Sequence, residues 1–389
     1  MSRILFITSK PYYPWEGACH RIRHNLEALV TLEHAVDLLT VPVGQAPQVS
    51  GVTTFFVPRI PFCNSLPEGP SVRRFALDTL MLFKAVYLAG RKPYTLIHGI
   101  DDCGVIAWLA GRLTQTPCVF ERHTSLSHER VTGPRRLWLG FYRFLERQAL
   151  RKADVVIGND TSVIDILNRF GRRSRACVIP DIPAVTEEVP LPARNLAQAR
   201  FRTAPSQKLV TCVGSYTRLH GLDLFFNALP HVLAAAPQTR FVVVGGDAAE
   251  ILRMRAALAQ AGIDQNVAFP GRLPPSELAA LLAISDVLVS PRRAGVTAPI
   301  KVLDYLHSGT PIVAVDTPAN RAVLSPKNAL ITRPTPEALA GGILKLCSAP
   351  GLCAELGLHG QSTLKHENRT PHAFRSALRR CYDYVLATP

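Results

Sequence analysis

A basic residue, Lys301, and an acidic residue, Asp304, lie on one short predicted helix within the stretch AGVTAPIKVLDYLHSGTPIVA, residues 294–314. Pro299 is suited to the start of this helix and Gly309 to its end. Because the two charged residues are three positions apart, they lie on the same face of the helix. The spacing therefore leaves two alternatives, a surface ion pair or two parts of a binding site.

Small residues precede this helix at Gly295, Val296 and Thr297. The unpaired amides of a helix N-terminus favour negative charge, whereas the positive charge of Lys301 in the first turn opposes the helix dipole. A bound anion would offset that cost. We therefore expect an anionic group to bind at this N-terminus.

A second candidate anion site is the stretch VTCVGSYTRLHGLD, residues 210–223. Gly214 allows a sharp turn after a predicted strand, and Arg218 and His220 project from that turn. Backbone amides and a guanidinium group together suit a pyrophosphate. The alternative is a simple strand-to-helix turn with charges at the surface.

Two further turns follow predicted strands in the second half. In FPGRLPPSELAAL, residues 269–281, the backbone at Arg272 and Leu273 is expected to line a flat base. The turn VVVGGDAAE, residues 242–250, lacks the Gly-x-Gly-x-x-Gly fingerprint, so no dinucleotide cofactor is expected.

The elements that must position these residues alternate between short β-rich runs and amphipathic stretches, as in parallel α/β proteins. Thirteen strands are predicted, at 3–8, 35–41, 52–57, 94–98, 117–121, 153–158, 176–179, 208–214, 240–246, 266–269, 286–290, 311–315 and 328–332. This pattern predicts two Rossmann-like, doubly wound α/β domains that face a central cleft.

The predicted first domain covers residues 1–182, and a proline-containing linker covers 183–207. The second domain covers 208–367. A C-terminal helix, 368–389, is expected to pack back towards the first domain.

Composition restricts the class of protein. The chain has 389 residues and a formal net charge of +15, spread over both halves, which suits anionic small molecules or an anionic membrane better than nucleic acid. Nine scattered cysteines without a Cys-x-x-Cys pair predict a reduced, cytoplasmic protein without a zinc site. No apolar run reaches the ~20 residues of a membrane span, and the first strand is too short for a signal peptide.

Several of these stretches, in this order and spacing, resemble the retaining glycosyltransferases of the GT-B fold, specifically the nucleotide-sugar-dependent family four. The matching segments are ILFITSKPYYPWEGACHRIRHNLEAL, ADVVIGNDTSVIDIL, VIPDIP, VGSYTRLHGLDLFFNALPHV, FVVVGG, VAFPGRLPPSELAALLAISDVLVSP and PIKVLDYLHSGTPIVAVDTP. The resemblance covers nearly the whole chain.

The resemblance implies that the helix at Lys301 begins under the donor diphosphate and that Asp304 matches the family glutamate that holds the ribose hydroxyls. Ser215 and His220 stand near the places of the usual Arg and Lys that grip the diphosphate, and Arg218 and Lys301 are expected to compensate.

One family feature is missing from the second half. The first Glu of the Glu-x7-Glu pair aligns with Val296 or Gly295, neither of which is acidic. The residues that contact the sugar are therefore not identified by the match.

In the first half, Gly17 matches the loop in which backbone amides approach the transferred sugar and phosphate. His123 matches a family histidine directed at the reacting sugar, and Glu121 and Arg122 are expected to line the same cleft. Arg21 is interpreted either as an anion contact or as a solvated helix residue.

The stretch GPRRLWLGFYRFLERQALRKAD, residues 133–154, is an amphipathic helix with arginines on one face and aromatic residues on another. It is expected either to pack on the first domain or to attach the protein to the inner face of an anionic cytoplasmic membrane.

The implied function is transfer of a hexosyl group, with retention of configuration, from a nucleotide-diphosphate sugar to a glycan, lipid-linked or small-molecule acceptor in bacterial cell-surface glycoconjugate synthesis. A UDP-sugar is preferred over a GDP-sugar, and no cofactor or metal is expected, since no Asp-x-Asp motif is present. Arg218 and Lys301 would stabilise the departing diphosphate, and His123 would orient the sugar or hydroxyl. A sugar-nucleotide 2-epimerase and a non-catalytic nucleotide-sugar binding protein remain as alternatives.

Overall fold

The computed structural model describes residues 2–13, 17–45, 47, 49–58, 71–123, 135–172, 175–202, 204, 206–295 and 298–387. The chain divides into two units, which are described separately. Unit 1 comprises residues 1–181 and 371–389, and unit 2 comprises residues 182–370.

Unit 1 contains a sheet of seven parallel strands: β1 (Arg3–Ile7), β2 (Ala35–Thr40), β3 (Val52–Phe56), β4 (Leu96–Ile100), β5 (Cys118–Arg122), β6 (Val155–Gly158) and β7 (Ala176–Val178). Their spatial order is β3-β2-β1-β4-β5-β6-β7. The chain order reverses between β1 and β4, the position at which ligands bind in doubly wound sheets.

Unit 2 contains a sheet of six parallel strands: β8 (Leu209–Val213), β9 (Arg240–Val244), β10 (Val267–Gly271), β11 (Val287–Ser290), β12 (Ile312–Val315) and β13 (Leu330–Thr332). Their order is β10-β9-β8-β11-β12-β13, so the reversal lies between β8 and β11. All thirteen strand predictions are confirmed, and both sheets are Rossmann-like as expected.

The helices that connect and cover the strands are α1 (Gly17–Thr31), α2 (Val72–Arg91), α3 (Asp102–Thr114), α4 (Arg135–Lys152), α5 (Ser162–Asn168), α6 (Leu191–Phe201), α7 (Leu222–Ala235), α8 (Ala248–Gln260), α9 (Pro275–Ile284), α10 (Ile300–Ser308), α11 (Pro318–Arg321), α12 (Pro336–Ser348), α13 (Pro350–His366) and α14 (Pro371–Ala387). The central strands of both sheets are buried on both faces, which is why they read as continuous apolar runs.

The segment predicted as a linker, 183–207, contains the helix α6 and is not an extended connection throughout. Pro190 and Pro192 stand at the start of α6, where a missing backbone N–H leaves no bond unmade. Ala197 and Phe201 are buried in a core cluster of unit 2 that also contains Leu273. Burial of one face of α6 therefore offsets the prolines that suggested a linker.

The C-terminal helix α14 packs within unit 1 on α1, and Phe374, Leu378, Tyr382 and Val385 are buried. A disulfide joins Cys177 of β7 to Cys381 of α14. The expectation that all cysteines are reduced is wrong for this pair. The two residues are 204 positions apart, so spacing in the sequence did not reveal their proximity.

Among the described residues, no single helix has both the length and the apolar composition of a membrane span. One pair of consecutive helical segments, Pro336–Ser348 and Pro350–Ala387, meets these criteria only when the two are taken together, and the chain bends by 101° between them.

Candidate functional site

Three predicted residues of unit 2 meet at the end of β8. Gly214 directly follows this strand, and a Cβ atom added to it would lie 3.1 Å from Lys301 Nζ and 3.5 Å from His220 Cβ. The backbone of Gly214 also lies against Gly245, which has a φ of 119°. A Cβ atom added to Gly245 would lie 2.2 Å from the carbonyl oxygen of Gly214, so only glycine fits at position 245. Gly214, His220 and Lys301 therefore form one cluster, as predicted.

The position of Lys301 is fixed by the neighbouring strand. Its ammonium group donates a hydrogen bond to the carbonyl oxygen of Val213, and the Val213 N–H donates to the hydroxyl of Tyr305 at 2.9 Å. Burial lowers the pKa of Lys301 to about 8, and the nearby positive charge of Arg292 adds to the lowering. The site thus places a cation where it is poorly solvated.

His220 belongs to the same positive environment. Its Nδ1 atom is buried and has no hydrogen-bond partner among the described residues. Burial, followed by the charges of Lys301 and Arg292, lowers the pKa of His220 to about 4. The ring is therefore neutral at pH 7 and able to donate or accept a hydrogen bond.

Arg292 is a functional candidate that the sequence analysis missed. Its Nε donates to the carbonyl of Ala294 at 2.8 Å, and burial lowers its pKa. Gly295 has a φ of 111°, and a Cβ added there would lie 2.6 Å from Arg292 Nη2. The available signal was the run Pro291-Arg292-Arg293 immediately after β11. Two cations and a histidine with an unpaired nitrogen make this cluster suited to an anion.

Other predicted donor-site residues lie nearby in the chain without joining this cluster. Arg218 begins a 3-10 turn, is exposed, and makes no side-chain hydrogen bond or ion pair within the described ranges. Ser215 is exposed, with its hydroxyl 3.4 Å from that of Thr217. Arg272 is also exposed, whereas the Leu273 side chain is buried in the core. Val296 and Thr297 lie outside the described residues.

Asp304 and Lys301 are engaged with different parts of unit 2. Asp304 Oδ1 accepts a hydrogen bond from the N–H of Ala184 at 2.6 Å, whereas Lys301 binds β8. The bond to Ala184 was not expected from the sequence. A carboxylate has about four acceptor positions, so several donors can bind to it at once.

In unit 1, His123 directly follows β5 and contacts a buried carboxylate. Its Nε2 atom lies 2.7 Å from Glu121 Oε1. Its backbone N–H donates to Asp101 Oδ1 at 2.8 Å. Asp101 has a φ of 49° and immediately precedes α3. A positive φ is uncommon for a residue with a side chain and occurs often at functional sites.

Glu121 is fully buried and surrounded by donors. Arg21 Nε lies 2.5 Å from Oε1, and Asn25 Nδ2 donates to Oε2 at 2.8 Å. His98 Nε2 lies 2.9 Å from Oε2, although its N–H is not aligned on that oxygen. Burial opposes ionisation, but Arg21, His123 and His98 hold the pKa of Glu121 well below its usual range.

Two expectations for unit 1 need revision. Arg21 is 1% exposed and also donates to the carbonyl of Ile179 at 2.8 Å, so it is neither solvated nor placed as an anion contact. Glu121 does not line an open surface but is buried. Gly17 is the first residue of α1. In the described ranges, no group of three or more His, Cys, Asp and Glu side chains has metal-site geometry.

Family models match both halves of the chain. The model for the glycosyl transferase 4-like domain matches residues 16–181, and the model for group 1 glycosyl transferases matches residues 207–349. The two matches together cover well over half of the chain.

A curated relative and two solved structures are similar to the chain. The GDP-mannose-dependent alpha-(1-6)-phosphatidylinositol monomannoside mannosyltransferase of Mycolicibacterium smegmatis is 28% identical over 55% of this chain, which spans 59% of that relative's length. Sucrose-phosphate synthase from Thermosynechococcus elongatus has a TM-score of 0.75 and 19% identity over 100% of both chains.

Anabaena HepE in complex with UDP-glucose has a TM-score of 0.72 and 17% identity, over 98% of this chain and 100% of that chain. At this level of identity, the solved structures show a common fold. The two family matches and these folds agree with the family resemblance in the sequence. The chain belongs to the group 1 glycosyltransferases of the GT4 type and has the GT-B fold.

Proposed function

We propose that the protein transfers a glycosyl group from a nucleoside-diphosphate sugar to an acceptor, with retention of anomeric configuration. The observation that carries this proposal is the cluster of Lys301, Arg292 and His220 beside Gly214. The poorly solvated Lys301 lies near the half-buried positive charge of Arg292, and both effects raise the energy of the ligand-free protein. An anion of two or more charges, such as a diphosphate, would offset this cost.

In this proposal, the chain's own groups stabilise the leaving diphosphate. Lys301, Arg292, Arg218 and the amides at the start of α10 stabilise the developing charge. His220 donates a neutral hydrogen bond. Asp304 accepts the ribose hydroxyls, the backbone at Arg272 and Leu273 lines the base, and His123 orients the sugar or the acceptor hydroxyl. No metal is required by this set of groups.

The identity of the donor is the finer part of the proposal. The sequence favoured a UDP-sugar, but the Mycolicibacterium relative is named as GDP-mannose-dependent. HepE, which shares the fold, is described in complex with UDP-glucose. We therefore place GDP-mannose and UDP-glucose as the first two donors to test.

For the acceptor, we propose a membrane lipid that bears an inositol or sugar headgroup, as the name of the Mycolicibacterium relative specifies for that protein. The α2–α4 surface, defined as Phe75, Leu137, Trp138, Phe141 and Phe144, supports this choice. Leu137 is 81% exposed and Phe144 56% exposed, and the Phe75 and Trp138 rings lie 5.5 Å apart.

The same helix carries exposed basic residues, Arg136, Arg147 and Arg151, of which Arg147 and Arg151 lie over the Phe170 ring. Apolar side chains with basic residues on the same helix fit an anionic lipid surface. Leu139 and Tyr142 of α4 are buried, and the Tyr142 hydroxyl donates to Asp78 of α2 at 2.7 Å, so the residues of α4 that pack inside unit 1 differ from the exposed ones proposed to contact the membrane. The protein would act on the cytoplasmic face of the membrane.

The test is product analysis with the full chain, each donor, and membrane lipid extract as acceptor. The proposal predicts a glycolipid with the anomeric configuration of the donor and activity that survives EDTA. Epimerised donor would instead indicate a 2-epimerase. Binding without any product would indicate a non-catalytic protein, and activity that is lost with EDTA and restored by magnesium would contradict the metal-free site.

A further inference from the structure

Glu121 has no role in the proposed function, yet it is a fully buried charge with several hydrogen-bond donors around it. Its two carboxylate oxygens each have two nitrogen neighbours within 3 Å: Arg21 and His123 at Oε1, and Asn25 and His98 at Oε2. These partners come from α1, β4 and the end of β5. A carboxylate at the protein surface is solvated by water and would not need four nitrogen neighbours.

We propose that Glu121 is a positioning residue that holds His123 in the tautomer with the proton on Nε2, so that Nδ1 remains available as a hydrogen-bond acceptor for a ligand hydroxyl. The proposal rests on the proposed function only for the identity of that ligand, a sugar or acceptor hydroxyl.

The directions of the hydrogen bonds lead to this tautomer. An ionised carboxylate can only accept, so each neighbour of Glu121 must donate. Arg21 and Asn25 do so through nitrogen-bound protons. His123 can donate to Oε1 only if its proton is on Nε2, because that is the atom 2.7 Å away. In the neutral ring, Nδ1 then carries the lone pair.

The accessible part of His123 is consistent with a ligand on Nδ1. The side chain is 11% exposed, and none of the described residues forms a hydrogen bond with Nδ1. The backbone N–H of His123 is held by Asp101 Oδ1 at 2.8 Å. Main chain and ring are thus both fixed, and one ring atom is left for a partner.

Tyr382 extends the arrangement to the C-terminal helix. Its hydroxyl lies 2.6 Å from His98 Nδ1, and both side chains are fully buried. If Tyr382 donates to Nδ1, the proton of His98 is on Nε2, the atom that faces Glu121. Tyr382 would therefore set the tautomer of His98, whose Nε2 lies 2.9 Å from Glu121 Oε2, next to the oxygen that faces His123.

The direct test is nitrogen NMR of the full chain labelled with 15N-histidine. Long-range proton–nitrogen correlations distinguish the two neutral tautomers, and loss of one signal set in His123→Gln assigns the ring. For the neutral ring of His123, we expect the Nε2–H tautomer. An Nδ1–H tautomer in the wild-type protein would overturn the proposal, and this result requires no activity.

Kinetics of Glu121→Gln provide the second readout. We expect kcat to fall at least tenfold with the donor KM within twofold, and the His123 signals to become a mixture of tautomers. The matched control is Glu337→Gln, an exposed carboxylate of α12, which should change neither. Unchanged kcat in a Glu121→Gln protein that also shows mixed tautomers would contradict the positioning role.

Glu121→Gln removes the nearer of the two carboxylates that pair with the buried Arg21, the other being Asp181. If Glu121→Gln does not fold, Tyr382→Phe takes its place as the test variant. That variant removes only the hydroxyl that faces His98, and we expect a kcat loss of twofold to tenfold at unchanged donor KM. No loss would overturn the extension to α14. If no nucleotide sugar gives a product but NMR shows the Nε2–H tautomer of His123, the proposed function is wrong and the positioning of His123 by Glu121 is still supported.

Discussion

The ammonium group of Lys301 donates a hydrogen bond to the carbonyl oxygen of Val213, which attaches the first turn of α10 to the last residue of β8. The lysine therefore does not extend into solvent. It lies beside Gly214, at the carboxyl end of the sheet, where doubly wound folds bind their ligands.

The first prediction concerns the space over Gly214. The Cβ of Gly214→Ala would lie 3.1 Å from Lys301 Nζ, the end of a flexible side chain. We expect the protein to fold but to bind nucleoside diphosphate about tenfold more weakly, or ~1.4 kcal/mol, because the cation is displaced. Titration calorimetry measures the change. The control is Gly341→Ala, at an open position of α12, and equal affinities in both variants would reject the site.

The second prediction concerns Asp304→Asn. An amide oxygen can still accept the N–H of Ala184, so the local backbone is preserved while the charge is lost. We expect nucleotide affinity to fall by about 1–3 kcal/mol, the usual cost of leaving a buried hydrogen-bonding group without its partner. If affinity is unchanged and thermal stability falls, Asp304 serves the Ala184 segment and not the ribose.

The third prediction follows from the lowered pKa of Lys301. Its pKa of about 8 is below the ordinary value of 10.5, so between these values the unfolded chain binds more protons. The free energy of unfolding of the ligand-free protein should therefore rise between about pH 8 and pH 10.5. Below pH 8, the full cost of burying the charged lysine is present.

Lys301→Met removes this contribution. In urea unfolding, the free energy of unfolding of the wild-type protein should increase by about 1–2 kcal/mol relative to that of the variant between about pH 7.5 and pH 9.5. This range allows for the partial exposure of Lys301. Parallel pH dependence of the two proteins would show that the lysine is well solvated.

The sequence predicted the strands well because parallel strands buried on both faces are continuous apolar runs, as in Val155–Gly158 and Ile312–Val315. It missed α6 because Pro190 and Pro192 were interpreted as signals of a linker. Prolines at a helix start and in a linker have the same local pattern, and only burial of Ala197 and Phe201 distinguishes them.

The cluster around Lys301 was predictable because Gly214, His220 and Lys301 follow strand ends that are neighbours in the sheet. The Glu121 cluster was not, since its partners Arg21 and Asn25 are 100 and 96 residues away. An acidic residue inside an apolar strand predicts that other groups compensate its charge, but it does not identify those groups.

The fourth prediction tests the α2–α4 surface. Phe141→Ser combined with Phe144→Ser should reduce co-sedimentation with phosphatidylglycerol vesicles at least fivefold, because two exposed apolar side chains no longer enter the lipid interface. Neutral phosphatidylcholine vesicles should bind weakly in every case. Leu358→Ser, at a residue 69% exposed on α13, is the control; if it has the same effect, the surface is not specific.

The central claim is that the end of β8 binds a nucleoside diphosphate. The most direct measurement is calorimetric titration of GDP and UDP into the wild-type protein, Lys301→Met, and the control Lys345→Met at an exposed position of α12. The account predicts that the wild-type protein and the control bind at least one nucleotide equally well and that Lys301→Met binds it at least tenfold more weakly. Binding of neither nucleotide to the wild-type protein, or equal affinity in Lys301→Met, would contradict it.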